Sequence, residues 1–319
     1  MNEPGFACAP LLREIGRGKD GSRALSREQA QALMAAILDG RVSDLELGGV
    51  LLALRMKGEA AAEVAGFLDA AEPRGARLEI GAPVVVLPTY NGARRLPNLV
   101  PLLAWALTRA GVPVLMHGQA SDPAHGTAAA RVGTEEILRA LGVEPAAGPD
   151  DAAARLRAGG MAYLPLDVVH PGLARLVGIR RVLGVRNVAH TLVKLLCPVA
   201  GPSLLMSSYT HPEFGAMLGE LFAMRPQAAL LMRATEGEAV ANVRRPQRVA
   251  RWLDGAESVA IEGAAGSPPQ LPELPEREAA ATAAWIESIR RGETPMPQAI
   301  ADQCRVAIEA VDALRKAGA

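Results

Sequence analysis

One short stretch of this sequence brings together residue types that handle phosphates and bases. The polar turn 89–92, Thr-Tyr-Asn-Gly, follows an apolar run, and Arg94 and Arg95 come directly after it. A glycine-containing turn between a strand and a helix presents free backbone N–H groups to an anion. The two arginines and the ring of Tyr90 suit a polyanion that carries bases. The stretch therefore predicts a site for nucleic acid or for a single nucleotide, with a solvated surface turn as the alternative.

The remaining positive charge is concentrated in acid-poor segments. The formal net charge is zero, from 34 basic and 34 acidic residues. No acid occurs between Asp167 and Glu213, and residues 225–251 hold six arginines against two glutamates. Residues 254–289, in contrast, hold seven acids and one base. A neutral total therefore hides a segregated charge distribution, which keeps a nucleic-acid partner possible.

Arg186, His190 and Lys194 form the densest basic pattern within the first of these segments. They are spaced four apart, so a helix through this segment would align them as one basic stripe. No acid lies nearby in sequence to pair with them, which favours a binding surface. A solvated face of an amphipathic helix is the alternative.

The elements that must position these residues begin with short helices. Two capping boxes, each a serine followed three residues later by glutamine or glutamate, precede apolar-periodic segments. The boxes are Ser26–Gln29 and Ser43–Glu46, and the helices that follow them are expected over 30–38 and 47–56, with a third near 59–71. We expect residues 1–78 to form an N-terminal helical subdomain on which later helices pack.

Strands alternate with helices from Val84 onward. The run Val84–Leu87 is apolar without alternation, which is typical of a parallel strand buried on both faces. Further strands are expected over 112–116, 161–166, 203–208, 228–232 and 257–261, and helices over 99–109, 133–141, 214–224, 277–291 and 298–316. Residues 79–319 are therefore expected to form a larger α/β domain with a mostly parallel central sheet.

Cysteine use and hydropathy indicate the compartment. The three cysteines, Cys8, Cys197 and Cys304, are far apart and form neither a metal-binding spacing nor a disulfide framework. The first twenty residues contain no apolar signal region, and no apolar run reaches the ~20 residues that span a bilayer. A cytoplasmic protein without a membrane partner is expected.

Several motifs resemble anthranilate phosphoribosyltransferases and, among proteins similar to them, the YbiB branch. The matching stretches are residues 25–29, 43–48, 53–58, 117–118, 133–142 and 184–186 for the enzymes, and Tyr-Asn-Gly-Ala-Arg (90–94), 184–192 and Thr-Glu-Gly-Glu (235–238) for the branch. The resemblance covers nearly the whole chain. It implies the class III nucleoside phosphorylase/phosphoribosyltransferase fold.

The departures from the enzyme pattern fall on the site for phosphoribosyl pyrophosphate. The diphosphate loop of the enzymes, Gly-Thr-Gly-Gly-Asp, is replaced here by Pro88 and the turn 89–92, which keeps one glycine of three. Glu236 and Glu238 replace an adjacent Asp-Glu pair that holds magnesium, and they remain a possible metal site. The resemblance leaves a vestigial site made of Thr89, Asn91, Gly92, Asn98, His117, Gly118 and Gln119. It assigns no catalytic residue, and ordinary anthranilate phosphoribosyltransferase activity is not expected.

The resemblance implies a homodimer, paired through its N-terminal helices, that binds single- and double-stranded nucleic acid with little sequence preference. The expected binding residues are Tyr90, Arg94, Arg95, Arg180, Arg181, Arg186, His190, Lys194, Arg233, Arg244 and Arg245. No cofactor is expected under this interpretation. One alternative is a phosphoribosyl transferase with a nonstandard substrate, which would use Mg²⁺. Another is a dimeric scaffold without a ligand.

Overall fold

The chain begins with a bundle of short helices. The computed structural model describes residues 5–18, 20–119, 131–245, 247–264, 266 and 272–317. The first four helices are α1 (Ala9–Ile15), α2 (Arg27–Leu38), α3 (Asp44–Lys57) and α4 (Ala61–Ala71). Both predicted capping boxes are present at the starts of α2 and α3. The three predicted helices therefore formed, and α2 and α3 begin three residues earlier than the apolar pattern indicated.

A buried glutamate holds this bundle together. The Glu63 carboxylate accepts hydrogen bonds from the backbone N–H of Leu25 at 2.9 Å and of Ala60 at 2.8 Å. It also pairs with the Lys57 ammonium, which lies 2.6 Å from Oε2. The Glu63 side chain is fully buried and that of Lys57 is 9% exposed. One carboxylate thus joins the segment before α2, the end of α3 and the start of α4.

The rest of the chain alternates strands and helices. In order they are β1 (Leu78–Glu79), β2 (Val84–Pro88), α5 (Val100–Arg109), β3 (Val114–Gly118), α6 (Thr134–Ala140), α7 (Pro149–Arg157), β4 (Met161–Pro165), α8 (Leu166–Val169), α9 (Pro171–Gly178), α10 (Arg180–Leu183), α11 (Ala189–Leu192), β5 (Val199–Ala200), β6 (Ser203–Tyr209), α12 (Pro212–Met224), β7 (Ala229–Arg233), β8 (Val249–Leu253), β9 (Ala256–Ile261), α13 (Ala279–Arg290) and α14 (Gln298–Ala317).

Seven strands form one sheet in the order β4-β3-β2-β6-β7-β8-β9. The first five are mutually parallel, and β8 and β9 add antiparallel at one side. The carboxyl ends of the parallel strands therefore lie along one edge, where ligands of open α/β sheets are usually bound. The loops after β2, β3, β6 and β7 all start at this edge, which we call the carboxyl edge.

The sheet is covered on both faces, as the unbroken apolar run of β2 predicts. Val84 and Val86 belong to a core shared with α2, α4 and α12, whereas Val85 and Leu87 belong to a second core shared with α5, α13 and α14. The predicted fold class, a helical bundle followed by an α/β domain with a mostly parallel sheet, is confirmed. Among the described residues no helix is both long and apolar enough to cross a bilayer.

The predicted helix through Arg186, His190 and Lys194 was wrong. Only the four residues of α11 are helical there, and both Arg186 and Lys194 lie outside it. The Asn187 side chain bonds to Ala189 N–H and Leu176 C=O, which anchors the start of α11. Residues 187–190 are all buried, so this segment runs through the interior instead of presenting a solvent face. The helices α1 and α7 to α10 and the strands β1, β5 and β8 were not predicted.

Candidate functional site

The loop after β2 lies at the centre of the carboxyl edge, against the end of β3. Thr89 N–H donates to the His117 carbonyl at 2.8 Å. A Cβ atom on Gly118 would lie 1.8 Å from the Thr89 carbonyl oxygen. Only glycine at 118 lets the two strands end this close together. Thr89, after β2, is thus in direct backbone contact with His117 and Gly118 at the end of β3.

Glu236 and Glu238 hold this loop through its backbone amides. Glu238 Oε1 accepts from Gly92 N–H at 2.6 Å. Glu236 Oε2 accepts from the N–H groups of Arg94 and Arg95 at 3.0 and 3.1 Å. Two carboxylates of the same chain therefore occupy the amides that an incoming phosphate would need.

The turn that carries these glutamates is closely fitted to Asn91. Gly237 has φ +105, and a Cβ there would lie 2.7 Å from Asn91 Nδ2. Asn91 Nδ2 donates to the Gly237 carbonyl at 2.7 Å, and Arg186 Nη2 donates to Asn91 Oδ1 at 2.8 Å. Arg131, which the sequence analysis missed, donates from Nη1 to the carbonyls of Gly92 and Glu236, each at 2.9 Å. These contacts tie the two loops into one unit.

Most other vestigial residues serve as buried hydrogen-bonding partners. Asn98 Nδ2 donates to Thr134 Oγ1 at 3.0 Å, and the hydroxyls of Thr134 and Thr89 share a short hydrogen bond. His117 Nε2 lies 2.9 Å from the Leu196 carbonyl, and burial lowers the pKa of this histidine to about 4. Gln119, which follows the last residue of β3, is half-buried. His117 is thus neutral at pH 7 and contributes no charge to the site.

Four predicted binding residues line one small cavity beside this loop. Tyr90, Arg186, His190 and Lys194 surround a volume of about 150 Å³. The Tyr90 and His190 rings meet edge to face, with centroids 5.9 Å apart. The further residues that line the cavity include Arg55 in α3, Glu59 just after α3, Tyr209 at the end of β6, and Phe214 in α12. The cavity therefore lies between the N-terminal bundle and the α/β domain.

Burial changes what His190 and Lys194 can contribute. Burial, together with the positive charge of Arg186, lowers the pKa of His190 to about 4. His190 is therefore a neutral ring at pH 7, not part of a cationic stripe. Burial also lowers the pKa of Lys194 to about 8, opposed by the negative charge of Glu238. Lys194 Nζ donates to the Ser208 carbonyl at 3.3 Å, so this ammonium faces inward.

The other predicted basic residues lie nearer to solvent. Arg180 is half-buried, whereas Arg94, Arg95, Arg181, Arg233, Arg244 and Arg245 are exposed. Arg94 and Arg95 follow the β2 loop, Arg233 ends β7, and Arg244 and Arg245 belong to the connection from β7 to β8. All five therefore belong to connections that start at the carboxyl edge. Arg180 and Arg181 begin α10, next to the bundle.

The glutamates fit an internal anchor better than a magnesium site. One oxygen of each already accepts loop amides, and Glu238 is fully buried. Within the described ranges, no three histidine, cysteine, aspartate or glutamate side chains form a group that could hold a metal ion. The spacing of the two glutamates alone did not reveal their amide partners, which are more than 140 residues away in sequence.

Several residues of the cavity and of the β2 loop contacts come from distant elements and were not predicted from the sequence. Arg55 and Phe214 are separated by about half of the chain, and no local pattern indicates that they share a cavity. Thr134 had a usable signal, because the stretch 133–142 carries part of the resemblance. Arg131 lies two residues before that stretch, and nothing in its spacing marked it.

Comparison with known proteins gives a consistent assignment. Residues 9–72 match the glycosyl transferase family helical bundle domain. The Escherichia coli protein YbiB is 40% identical over 91% of this chain and 90% of its own length. The anthranilate phosphoribosyltransferase of Sorangium cellulosum is 31% identical over 84% of this chain and 76% of its own. The crystal structure of that enzyme from Thermus thermophilus superposes with a TM-score of 0.70 at 25% identity, covering 92% and 86% of the two chains. The chain therefore belongs to the YbiB branch of the anthranilate phosphoribosyltransferase-like proteins.

Proposed function

We propose that this protein binds single- and double-stranded nucleic acid with little sequence preference, through the phosphates, at its carboxyl edge. The observation that supports this most is the internal occupation of the former diphosphate loop. Glu236 and Glu238 already accept three of its amides, from Gly92, Arg94 and Arg95. A loop whose amides are already bonded to Glu236 and Glu238 is poorly suited to phosphoribosyl pyrophosphate. The side chains of Arg94 and Arg95 beside it do not take part in these bonds and can bind a phosphate.

The charge pairing of the arginines supports the same proposal. Over the described ranges no ion pair joins a carboxylate to the guanidinium of Arg94, Arg95, Arg180, Arg233, Arg244 or Arg245. Several arginines elsewhere are paired, as Arg74 is with Asp39 at 2.8 Å and Arg225 with Glu72 at 2.7 Å. Guanidinium groups that are not paired with a carboxylate are available to neutralise phosphates. Phosphate neutralisation supplies most of the free energy of non-specific binding to nucleic acid.

Fluorescence anisotropy of a labelled single-stranded oligonucleotide tests the proposal. We expect binding that weakens steeply with salt, because each neutralised phosphate releases counterions. A footprint of about six phosphates loses roughly a thousandfold in affinity between about 50 and 200 mM salt. A duplex of the same length is expected to show a similar salt slope. Absence of binding at the lowest salt concentration would contradict the proposal.

Phosphoribosyl transfer on a nonstandard substrate is the second candidate, and the kinship with anthranilate phosphoribosyltransferases favours it. In that case Arg186 and Lys194 at the cavity would contact an anionic acceptor. Isothermal titration calorimetry with phosphoribosyl pyrophosphate, with and without Mg²⁺, separates the two candidates. Magnesium-dependent binding would favour the transferase, and we expect none, because the loop amides are occupied.

We also propose a homodimer through the N-terminal helices. Leu45, Leu52 and Met56 lie seven and four residues apart on α3, and Leu45 and Met56 are 88% and 85% exposed. Such a stripe of solvent-facing apolar side chains suits pairing with a second copy. We expect the double variant L45D/M56D to sediment as a monomer and the wild type as a dimer. A monomeric wild type at micromolar concentration would contradict this.

A further inference from the structure

The cavity beside Tyr90 is lined by an unusual share of the aromatic rings in this chain. The sequence holds three tyrosines, four phenylalanines and three tryptophans. Tyr90, Tyr209 and Phe214 line this one cavity, together with the neutral ring of His190. Aromatic side chains form the platforms on which single-stranded nucleic-acid binders stack bases. The rings come from the β2 loop, the end of β6, α11 and α12, so only the folded chain assembles them.

The size of the cavity limits what it can hold. Its volume of about 150 Å³ equals that of an engineered protein cavity known to bind benzene, so it admits one six-membered ring. Ligand pockets for larger molecules usually occupy about 300–1,000 Å³. The cavity is therefore too small to enclose a whole nucleotide or phosphoribosyl pyrophosphate, whereas a single pyrimidine ring fits.

Positive charge surrounds the cavity. Arg186 lines it, with its guanidinium held by Asn91 at 2.8 Å, and Arg55 lines it from α3. Burial raises the pKa of Tyr90 and lowers that of His190, and the charge of Arg180 makes a smaller, lowering contribution at both rings. These cations are placed to neutralise the phosphates on either side of an inserted base. Glu59 is the one acidic residue lining the cavity in the described part of the chain.

We propose that this cavity receives one unstacked base of a single strand while the surrounding arginines hold the flanking phosphates. This inference rests on the proposed nucleic-acid binding and makes it more specific. The hydroxyls of Thr191, Ser208 and Thr210 line the same cavity and can bond to the edge of the base. A cavity of this size favours a pyrimidine at the one inserted position, and the phosphate contacts along the rest of the strand remain independent of sequence. A duplex keeps its bases stacked, so it can use only the arginines.

The test compares an oligothymidylate of about 15 nucleotides with an abasic strand of equal length and charge, and with a blunt duplex. Stacking of one base contributes about 1–3 kcal/mol, so the wild type is expected to bind the thymidylate at least about fivefold more tightly than the abasic strand. Tyr90→Ala is expected to remove most of this difference, because the thymidylate loses its stacking partner in the cavity. Tyr90→Phe keeps the ring and is expected to keep the preference.

The outcomes distinguish this inference from the proposal on which it rests. Equal, salt-dependent binding of thymidylate and abasic strand by the wild type would overturn the base cavity and leave nucleic-acid binding intact. A preference that survives Tyr90→Ala and the second variant Phe214→Ala would also overturn it. Absence of binding to all three probes would overturn the proposed function itself. The comparison of probes on the wild type does not depend on whether a variant folds.

Discussion

Reversing the charges of Arg94 and Arg95 together is expected to weaken binding of single-stranded DNA by about 100-fold or more. Both side chains are exposed, and within the described ranges neither guanidinium is paired with a carboxylate. Hydrogen bonds to charged groups contribute about 1.5–3 kcal/mol each, and each 1.4 kcal/mol is a factor of ten in affinity. The salt slope should also fall by about two, because two phosphates are no longer neutralised. Anisotropy titrations at several salt concentrations measure both quantities.

Arg290 and Arg291 provide a matched control, because they are also adjacent and exposed. Arg290 pairs with Glu287 at 2.7 Å and Arg291 with Glu293 at 2.7 Å. Arg277, just before the start of α13, donates to the Arg94 carbonyl, so this end of the helix lies beside the tested pair. Arg290 and Arg291 lie at the other end of α13, whose 12 residues span about 18 Å. R290E/R291E changes the net charge of the protein as much as R94E/R95E does. Equal losses from both double variants would show that net charge, not the carboxyl edge, governs binding.

The choice of exposed arginines follows from the structure. Charge reversal at Lys194 is an unsuitable test, because it would place a second carboxylate near the buried Glu238. Burial already raises the pKa of Glu238. A loss of binding in that variant could therefore reflect misfolding of the loop after β2. Arg94 and Arg95 avoid this problem, because only their backbone amides contact Glu236.

The variant Glu63→Ala is expected to reduce the free energy of unfolding by about 3–5 kcal/mol. Removing one partner of a buried ion pair leaves the other charge uncompensated. Here the loss of the Glu63 carboxylate leaves the Lys57 ammonium without its ion-pair partner and removes the acceptor of the Leu25 and Ala60 backbone amides. Urea denaturation followed by circular dichroism measures the change.

The surface pair of Arg305 and Glu309 is the control for this prediction. Glu309 lies 2.8 Å from Arg305 in α14, and both side chains are about half exposed, at 49% and 55%. Exposed pairs contribute at most about 1 kcal/mol, so Glu309→Ala should change stability little. A cost for Glu63→Ala no greater than that for Glu309→Ala would show that the buried pair does not hold the bundle together.

Local signals predicted the elements of this fold well. Each capping box at Ser26 and Ser43 satisfies two backbone donors within one turn, so its residues alone specify where the helix begins. The apolar run of β2 likewise has one favourable environment, a strand buried on both faces. Predictions of this type succeed because the partners lie within a few residues.

The same kind of reasoning failed at α11. Spacing by four indicates a helical stripe only if the segment is helical and one face meets solvent. Neither condition holds there, because Asn187 anchors the segment to α9 and the bundle covers it. His190 consequently loses its charge, and Lys194 turns toward Ser208. Burial depends on elements more than a hundred residues away, so local spacing carries no information about it.

The sequence by itself determined the family, the two capped helices, six of the seven strands of the main sheet, and the replacement of the diphosphate loop by Thr-Tyr-Asn-Gly. The tertiary structure alone decided which charges remain unpaired, that Glu236 and Glu238 occupy the loop amides, and that Arg55, Tyr90 and Phe214 share one cavity. The physical reason is the range of the interactions. Caps and strand patterns depend on neighbours along the chain, whereas burial, charge pairing and cavities depend on residues that only folding brings together.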